Sequence, residues 1–150
     1  MASTFSNLLY HLVFTTKGRL PLIHDDLRDR LYEYMGAIIR GEGGILLEIG
    51  GMPDHLHLLV KLKTDIAVSM MVQKIKGNSS RWINGLPEHK ARFEWQSGYG
   101  IFSVSQSATE KVRQYIRGQE ENHRRVSFRD ELVALLRRNG ISYEEKHLLG

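Results

Sequence analysis

The chain contains no cysteine. Disulfide cross-links, cysteine-based zinc fingers and thiol nucleophiles are therefore excluded. No apolar run approaches the ~20 residues needed to span a bilayer, so no membrane partner is expected. The opening Met1-Ala2-Ser3-Thr4 lacks the basic-then-apolar order of a secretory signal, and a cytoplasmic protein is expected. Internal repeats, low-complexity tracts and long linkers are missing too. What is present is 150 residues, 41% apolar and 25% charged, which suits one domain with one modest core.

The net charge is +4 and the isoelectric point about 9.4. Mild basicity permits a polyanionic partner without demanding one. Arg113, Arg117, Arg124, Arg125 and Arg129 crowd one short region, and Lys74, Lys76 and Arg81 form a second group. On charge alone, solvated helix faces explain both groups equally well.

Alternation of apolar residues predicts a strand over Asn7 to Thr16, with Leu8, Tyr10, Leu12 and Phe14 on one side and Leu9, His11, Val13 and Thr15 on the other. Asp25 or Asp26 is expected to cap a helix with Leu27, Leu31, Tyr34, Met35, Ile38 and Ile39 as its apolar positions, ending at Gly41. Strands are predicted over Ile45 to Ile49 and His55 to Leu62, joined by a turn at Gly50 to Asp54. A second helix, capped by Thr64 or Asp65, runs to about Asn84-Gly85, and a fourth strand covers Tyr99 to Val104. Ser107-Ala108-Thr109-Glu110 matches a capping box, so a third helix is expected from there to about His123. Ser127 starts a last helix closed by Asn139-Gly140. This order predicts an α+β, ferredoxin-like βαββαβ domain with an antiparallel sheet and added C-terminal helices. Such a fold hosts many functions.

The most informative stretch is Asp54-His55-Leu56-His57-Leu58-Leu59-Val60. On a strand, residues two apart share a face, so both imidazoles can converge on one ion. Leu56, Leu58, Val60 and Leu62 would then bury the opposite face. The alternative is two polar residues on an exposed strand face. A second constellation is Tyr115-Ile116-Arg117-Gly118-Gln119, where a helix would put Tyr115 and Gln119 on one face, with His123 a turn further on. Tyr115 also fits an apolar stripe with Ala108, Val112 and Ile116, which makes it a core aromatic on that reading. Gly118 in mid-helix costs about 1 kcal/mol against Ala and suggests a close backbone approach or a hinge.

Met52-Pro53-Asp54-His55-Leu56-His57-Leu58-Leu59-Val60 resembles the HUH motif (His, hydrophobic, His) of the single-tyrosine transposases, which mobilise insertion sequences as single-stranded DNA. Tyr10-His11-Leu12-Val13-Phe14-Thr15-Thr16-Lys17 is similar to that family's first strand, and Ile75-Lys76-Gly77-Asn78-Ser79-Ser80-Arg81 to its second helix. Trp95-Gln96-Ser97-Gly98-Tyr99 with Phe102-Ser103-Val104 resembles its last strand, and Tyr115-Ile116 with Gln119 its catalytic helix.

The resemblance implies that residues 1–150 form one HUH domain, with a core at about 6–123 and a basic helical tail at about 124–150. It implies that Tyr115 is the nucleophile and that His55, His57 and Gln119 are metal ligands, with His123 a substitute or extra ligand. The implied cofactor is a divalent ion, Mg²⁺ or Mn²⁺. The implied reaction cleaves and rejoins hairpin-flanked single-stranded DNA through a 5′-phosphotyrosine, and the implied assembly is a homodimer. Lys74, Lys76 and Arg81 are the first candidates for phosphate contacts, followed by Arg19, Arg117, Arg124 and Arg125. Trp82, Trp95 or Phe102 would either stack on an unpaired base or belong to the core. A non-catalytic or domesticated hairpin-binding protein of the family's repeat-associated branch is the alternative, which the tail after Arg124 also suits.

Overall fold

The computed structural model describes residues 3–148. Met1 and Ala2 of the opening segment, and Leu149 and Gly150 of the expected tail, lie outside the described residues. Four strands form one antiparallel sheet: β1 (Leu8–Thr15), β2 (Ile45–Met52), β3 (His55–Leu62) and β4 (Gly100–Val104), in the order β2-β3-β1-β4. Helices α1 (Asp25–Gly41) and α2 (Val68–Asn84) are the two crossovers, which completes the ferredoxin-like α+β arrangement. After β4 come α3 (Thr109–Arg117), the single turn α4 (Gln119–Asn122) and α5 (Phe128–Arg138).

The alternation of β1 and β3 assigns each face of the sheet. Leu12 pairs with Leu58 and Phe14 with Leu56, and these side chains meet Leu31, Met35 and Ile39 of α1 and Met71, Val72 and Ile75 of α2 in the main core. Val13 pairs with His57 and Thr15 with His55, so both imidazoles point to the other face. That face is covered rather than exposed. Phe128 and Leu135 of α5 pack there against Val13 and Phe102.

Several local expectations are corrected. The turn expected at Gly50 to Asp54 is shorter, because β2 continues through Met52 and pairs Gly50 with His57 and Met52 with His55. Gly50 is required there: a β-carbon on it would stand 2.4 Å from the Ile116 carbonyl oxygen of α3. The expected caps also shift. His24, Ala67 and Ala108 occupy the N-cap positions of α1, α2 and α3 without a side-chain cap bond. Ser127 does cap α5, accepting from the Asp130 backbone N–H. The third helix stops at Arg117, and Gly118 separates it from α4. A β-carbon on Gly118 would make only ordinary contacts, so the close approach belongs to Gly50 and the break to Gly118.

Candidate metal centre

Strand β3 and the short turn after α3 bring the sequence-selected polar residues together. His55 and His57 are buried at 1% and 0% exposure, and Gln119 at 1%. His55 Nε2 lies 3.1 Å from Gln119 Oε1, and His123 Nε2 lies 3.0 Å from the same oxygen. Sequence reasoning missed the residue at the middle of this group, Glu131 of α5. Its Oε1 stands 2.9 Å from His57 Nε2, 3.2 Å from His123 Nε2 and 3.6 Å from His55 Nε2. Its Oε2 accepts hydrogen bonds from the Tyr115 hydroxyl, from Gln119 Nε2 at 2.8 Å and from Asn122 Nδ2 at 3.1 Å. The signal was present: Glu131 stands among Phe128, Leu132 and Leu135, an acid on the stripe that a helix turns inward.

The chemistry of these donors fits a cation. His55 commits Nδ1 to Asp54 Oδ1 at 2.8 Å, and His123 commits Nδ1 to the Val126 carbonyl at 2.8 Å. Both acceptors take a proton from nitrogen, and a ring that carries its proton at Nδ1 turns a lone pair at Nε2 toward the centre. Gln119 donates from its amide nitrogen to Glu131 Oε2, which leaves its carbonyl oxygen facing the same point. Lone pairs therefore face lone pairs at hydrogen-bond separation, an arrangement that a shared cation relieves. Ligand atoms about 2.1 Å from one ion stand about 3 Å from each other, close to the spacings found here. His55, His57 and Glu131 offer ligand atoms all within 4.8 Å of one another, and this buried group could hold a metal ion.

Further contacts orient the ligands. His11 Nε2 lies 2.8 Å from His57 Nδ1. Burial, with His57 beside it, pushes the His11 imidazole down to about 3, so it is neutral at pH 7. Asp54 bridges His55 and the Arg19 guanidinium, whose Nε is 3.4 Å from Asp54 Oδ2. Burial alone would raise the Asp54 carboxyl, but the hydrogen bonds from His55 and Arg19 and the charge of the Arg19 guanidinium outweigh it and lower the pKa. Phe128 packs its ring 4.5 Å from that of His55, and Arg19 Cζ lies over the Phe128 ring, 5.2 Å from its centroid.

Tyr115 is half-buried, and its ring stands 5.7 Å from that of His57. Burial first, then the hydrogen bond to Glu131, raises the phenol above its ordinary value. Glu131 moves the other way. Burial would raise it, but the hydrogen bonds from His57, Tyr115 and Gln119 prevail and hold it well below the usual carboxylate range.

The basic candidates are spread over both sides. Lys74, Lys76 and Arg81 sit on α2, across the sheet from the imidazoles, where Lys74 pairs with Glu42 at 2.7 Å and Lys76 donates to the Gly98 carbonyl at 2.9 Å. Arg81 reaches Asn78 of the same helix. Arg19 borders the centre, while Arg117 pairs with Glu48 and Arg124 with Glu121, each at 2.7 Å. Arg125, just beyond α4, is exposed. Of the two readings for the aromatics, the core one holds for two rings. Trp95 and Phe102 are core residues, at 9% and 5% exposure, and the Trp95 indole donates to Ser79 Oγ at 2.9 Å. Trp82 is stacked on Tyr34 with centroids 4.6 Å apart.

Residues 4–119 match the model of a transposase family described as IS200-like, and the chain belongs to that family. The ISDra2 transposase TnpA of Deinococcus radiodurans is 28% identical over 119 residues, covering 76% of this chain and 85% of that protein. The transposase for insertion sequence element IS200 of Salmonella typhimurium is 27% identical over 126 residues, covering 81% and 82%. The crystal structure of a Deinococcus radiodurans R1 protein assigned as a transposase is similar with a TM-score of 0.63 at 27% identity, over 79% of this chain and 95% of that one. A REP-associated tyrosine transposase bound to a REP hairpin shares the fold, with a TM-score of 0.61 at 15% identity, over 82% of this chain and 74% of that one. No helix among the described residues is long and apolar enough to cross a membrane.

Proposed function

We propose that the chain cleaves and rejoins hairpin-flanked single-stranded DNA, with Tyr115 as nucleophile and a divalent ion held by His55, His57 and Gln119, with His123 as a substitute or extra ligand. The observation that carries this reading is the convergence of those ligand atoms beside the Tyr115 hydroxyl. In the first step the Tyr115 oxygen attacks a backbone phosphorus, the bond to the 3′ oxygen breaks, and that oxygen leaves as a 3′-hydroxyl. The 5′ end stays joined to Tyr115 as a phosphotyrosine, so the phosphodiester energy is kept for rejoining. In the second step another 3′-hydroxyl attacks the phosphotyrosine and frees the phenol. When bound, the ion polarises the phosphate oxygens and offsets charge on the leaving oxygen.

The chain's own residues do the positioning. β3 fixes both imidazoles, α3 brings the phenol over them, and Phe128 shields the His55 side from water. A groove of about 680 Å³ runs beside Phe128, lined also by Tyr99, Tyr143 and His147, and offers unpaired nucleotides aromatic surfaces. Imidazole nitrogens combined with amide and carboxylate oxygens suit Mn²⁺ or Mg²⁺, with Mn²⁺ the better match for nitrogen donors. A homodimer joining sheet edges remains the proposed assembly, and the cytoplasm the proposed compartment. Residues 1–150 are proposed to act as one such domain.

The test is a labelled single strand taken from the ends of the protein's own genomic neighbourhood, incubated with the protein and Mn²⁺. A denaturant-resistant protein–DNA adduct, absent with Tyr115→Phe and in excess EDTA, supports the proposal. Hairpin binding with no adduct from the wild type favours the non-catalytic, repeat-associated reading instead.

A further inference from the structure

We infer that Glu131 is a ligand of the ion through Oε1 and seats the Tyr115 hydroxyl through Oε2, so that α5 belongs to the reaction centre. This rests on the metal and nucleophile reading above. Residue 131 lies beyond the 4–119 stretch matched to the family, so the family match does not assign it a role.

Three observations carry the inference. The Glu131 carboxylate is 3% exposed, and among the described residues no Lys or Arg forms an ion pair with it. An unpaired carboxylate that deep is costly unless a cation or a set of hydrogen bonds balances it. Its two oxygens are also divided by task. Oε1 faces the Nε2 atoms of His55, His57 and His123, while Oε2 takes Tyr115, Gln119 and Asn122. The carboxylate cannot turn without giving up one group or the other. Finally, the neutral imidazoles and the Gln119 amide bring no charge to a divalent ion, whereas Glu131 brings one negative charge from the first turn of α5, where the helix dipole favours an anion.

The test uses the full chain and reads Mn²⁺ affinity by calorimetry, separately from DNA cleavage. Glu131→Gln keeps the size and is expected to weaken Mn²⁺ binding by about tenfold or more, since even residues behind the ligands change metal affinity by 10–100-fold. Wild-type affinity in a folded Glu131→Gln, alongside a His55→Ala that loses binding, overturns the inference and leaves the metal reading intact. Mn²⁺ binding that depends on Glu131 without any DNA adduct supports the ligand assignment and sinks the nucleophile reading. Seating is read at saturating Mn²⁺: adduct formation by Glu131→Gln should stay slow, and full recovery there overturns the seating role. Should Glu131→Gln fail to fold, wild-type crystals soaked in Mn²⁺ decide. Anomalous density within coordination distance of Glu131 Oε1 supports the inference, and an ion on His55 and His57 with Glu131 turned away overturns it.

Discussion

His11 Nε2 and His57 Nδ1 lie 2.8 Å apart on the same sheet face, diagonal neighbours across the β1–β3 pair. An ion at His57 Nε2 requires the proton on Nδ1, and a neutral His11 can accept it. On the proposed metal reading, His11 would act as a positioning residue that selects the metal-ready tautomer. His11→Phe should weaken Mn²⁺ binding by about 10–100-fold, whereas His11→Gln, whose amide oxygen can still accept, should lose less. Calorimetric titration of both variants checks this, and equal affinities for wild type and His11→Phe would refute it.

Gly50 sets how closely α3 approaches the sheet. Adding a methyl there drives it into the Ile116 carbonyl, and helix α3 carries Tyr115 next in sequence. Gly50→Ala should cost about 1–3 kcal/mol of stability, as overpacking does, and should slow adduct formation. Gly77, in α2, has open space around its missing side chain. Gly77→Ala should stabilise the fold by about 0.5–1 kcal/mol. Chemical denaturation measures both, and a stabilised Gly50→Ala would contradict the packing argument.

Ser79 Oγ accepts the hydrogen bond of the buried Trp95 indole N–H. Ser79→Ala should cost about 1–3 kcal/mol through that stranded donor. Because Ser79 lies on the α1–α2 side of the sheet, Mn²⁺ affinity should not change. A melting curve paired with a metal titration separates the two effects.

Arg19, Arg117, Arg124 and Arg125 are placed nearer the imidazole face than Lys74, Lys76 and Arg81. Replacing the first set by alanine should lower hairpin affinity and flatten its salt dependence by about 0.7 in log–log slope per lost phosphate contact on a single strand. Lys76→Ala should act mainly on stability, since its amine holds the Gln96 and Gly98 carbonyls. Fluorescence anisotropy over a range of salt concentrations checks both. An unchanged slope in the first set would remove those residues from the interface.

The strand pattern was legible because burial on one face writes itself as period-two alternation. His55 to Leu62 is bounded in the structure as the sequence indicates, and Leu56, Leu58 and Val60 face the main core. His55, His57 and Gln119 were legible as a group only through the motif resemblance, since nothing in their spacing says that residues 64 apart in sequence meet. The burial of the imidazole face was not legible. It depends on α5 folding back over the sheet, a long-range contact with no local signature. Glu131 was passed over although its place on the inward stripe of α5 is visible in sequence, because what that stripe covers depends on the same long-range contact. The helix caps misled: Thr64 and Asp65 lie ahead of Ala67, and Ser107 ahead of Ala108, the N-cap positions that the structure uses.

Asp54 holds Arg19 with one oxygen and His55 with the other. A DNA phosphate that draws the guanidinium away would leave the whole carboxylate charge to the imidazole. The ring would then become a stronger electron donor at the moment a strand arrives. Strand loading and grip on the ion would in this way be linked through a single acidic side chain.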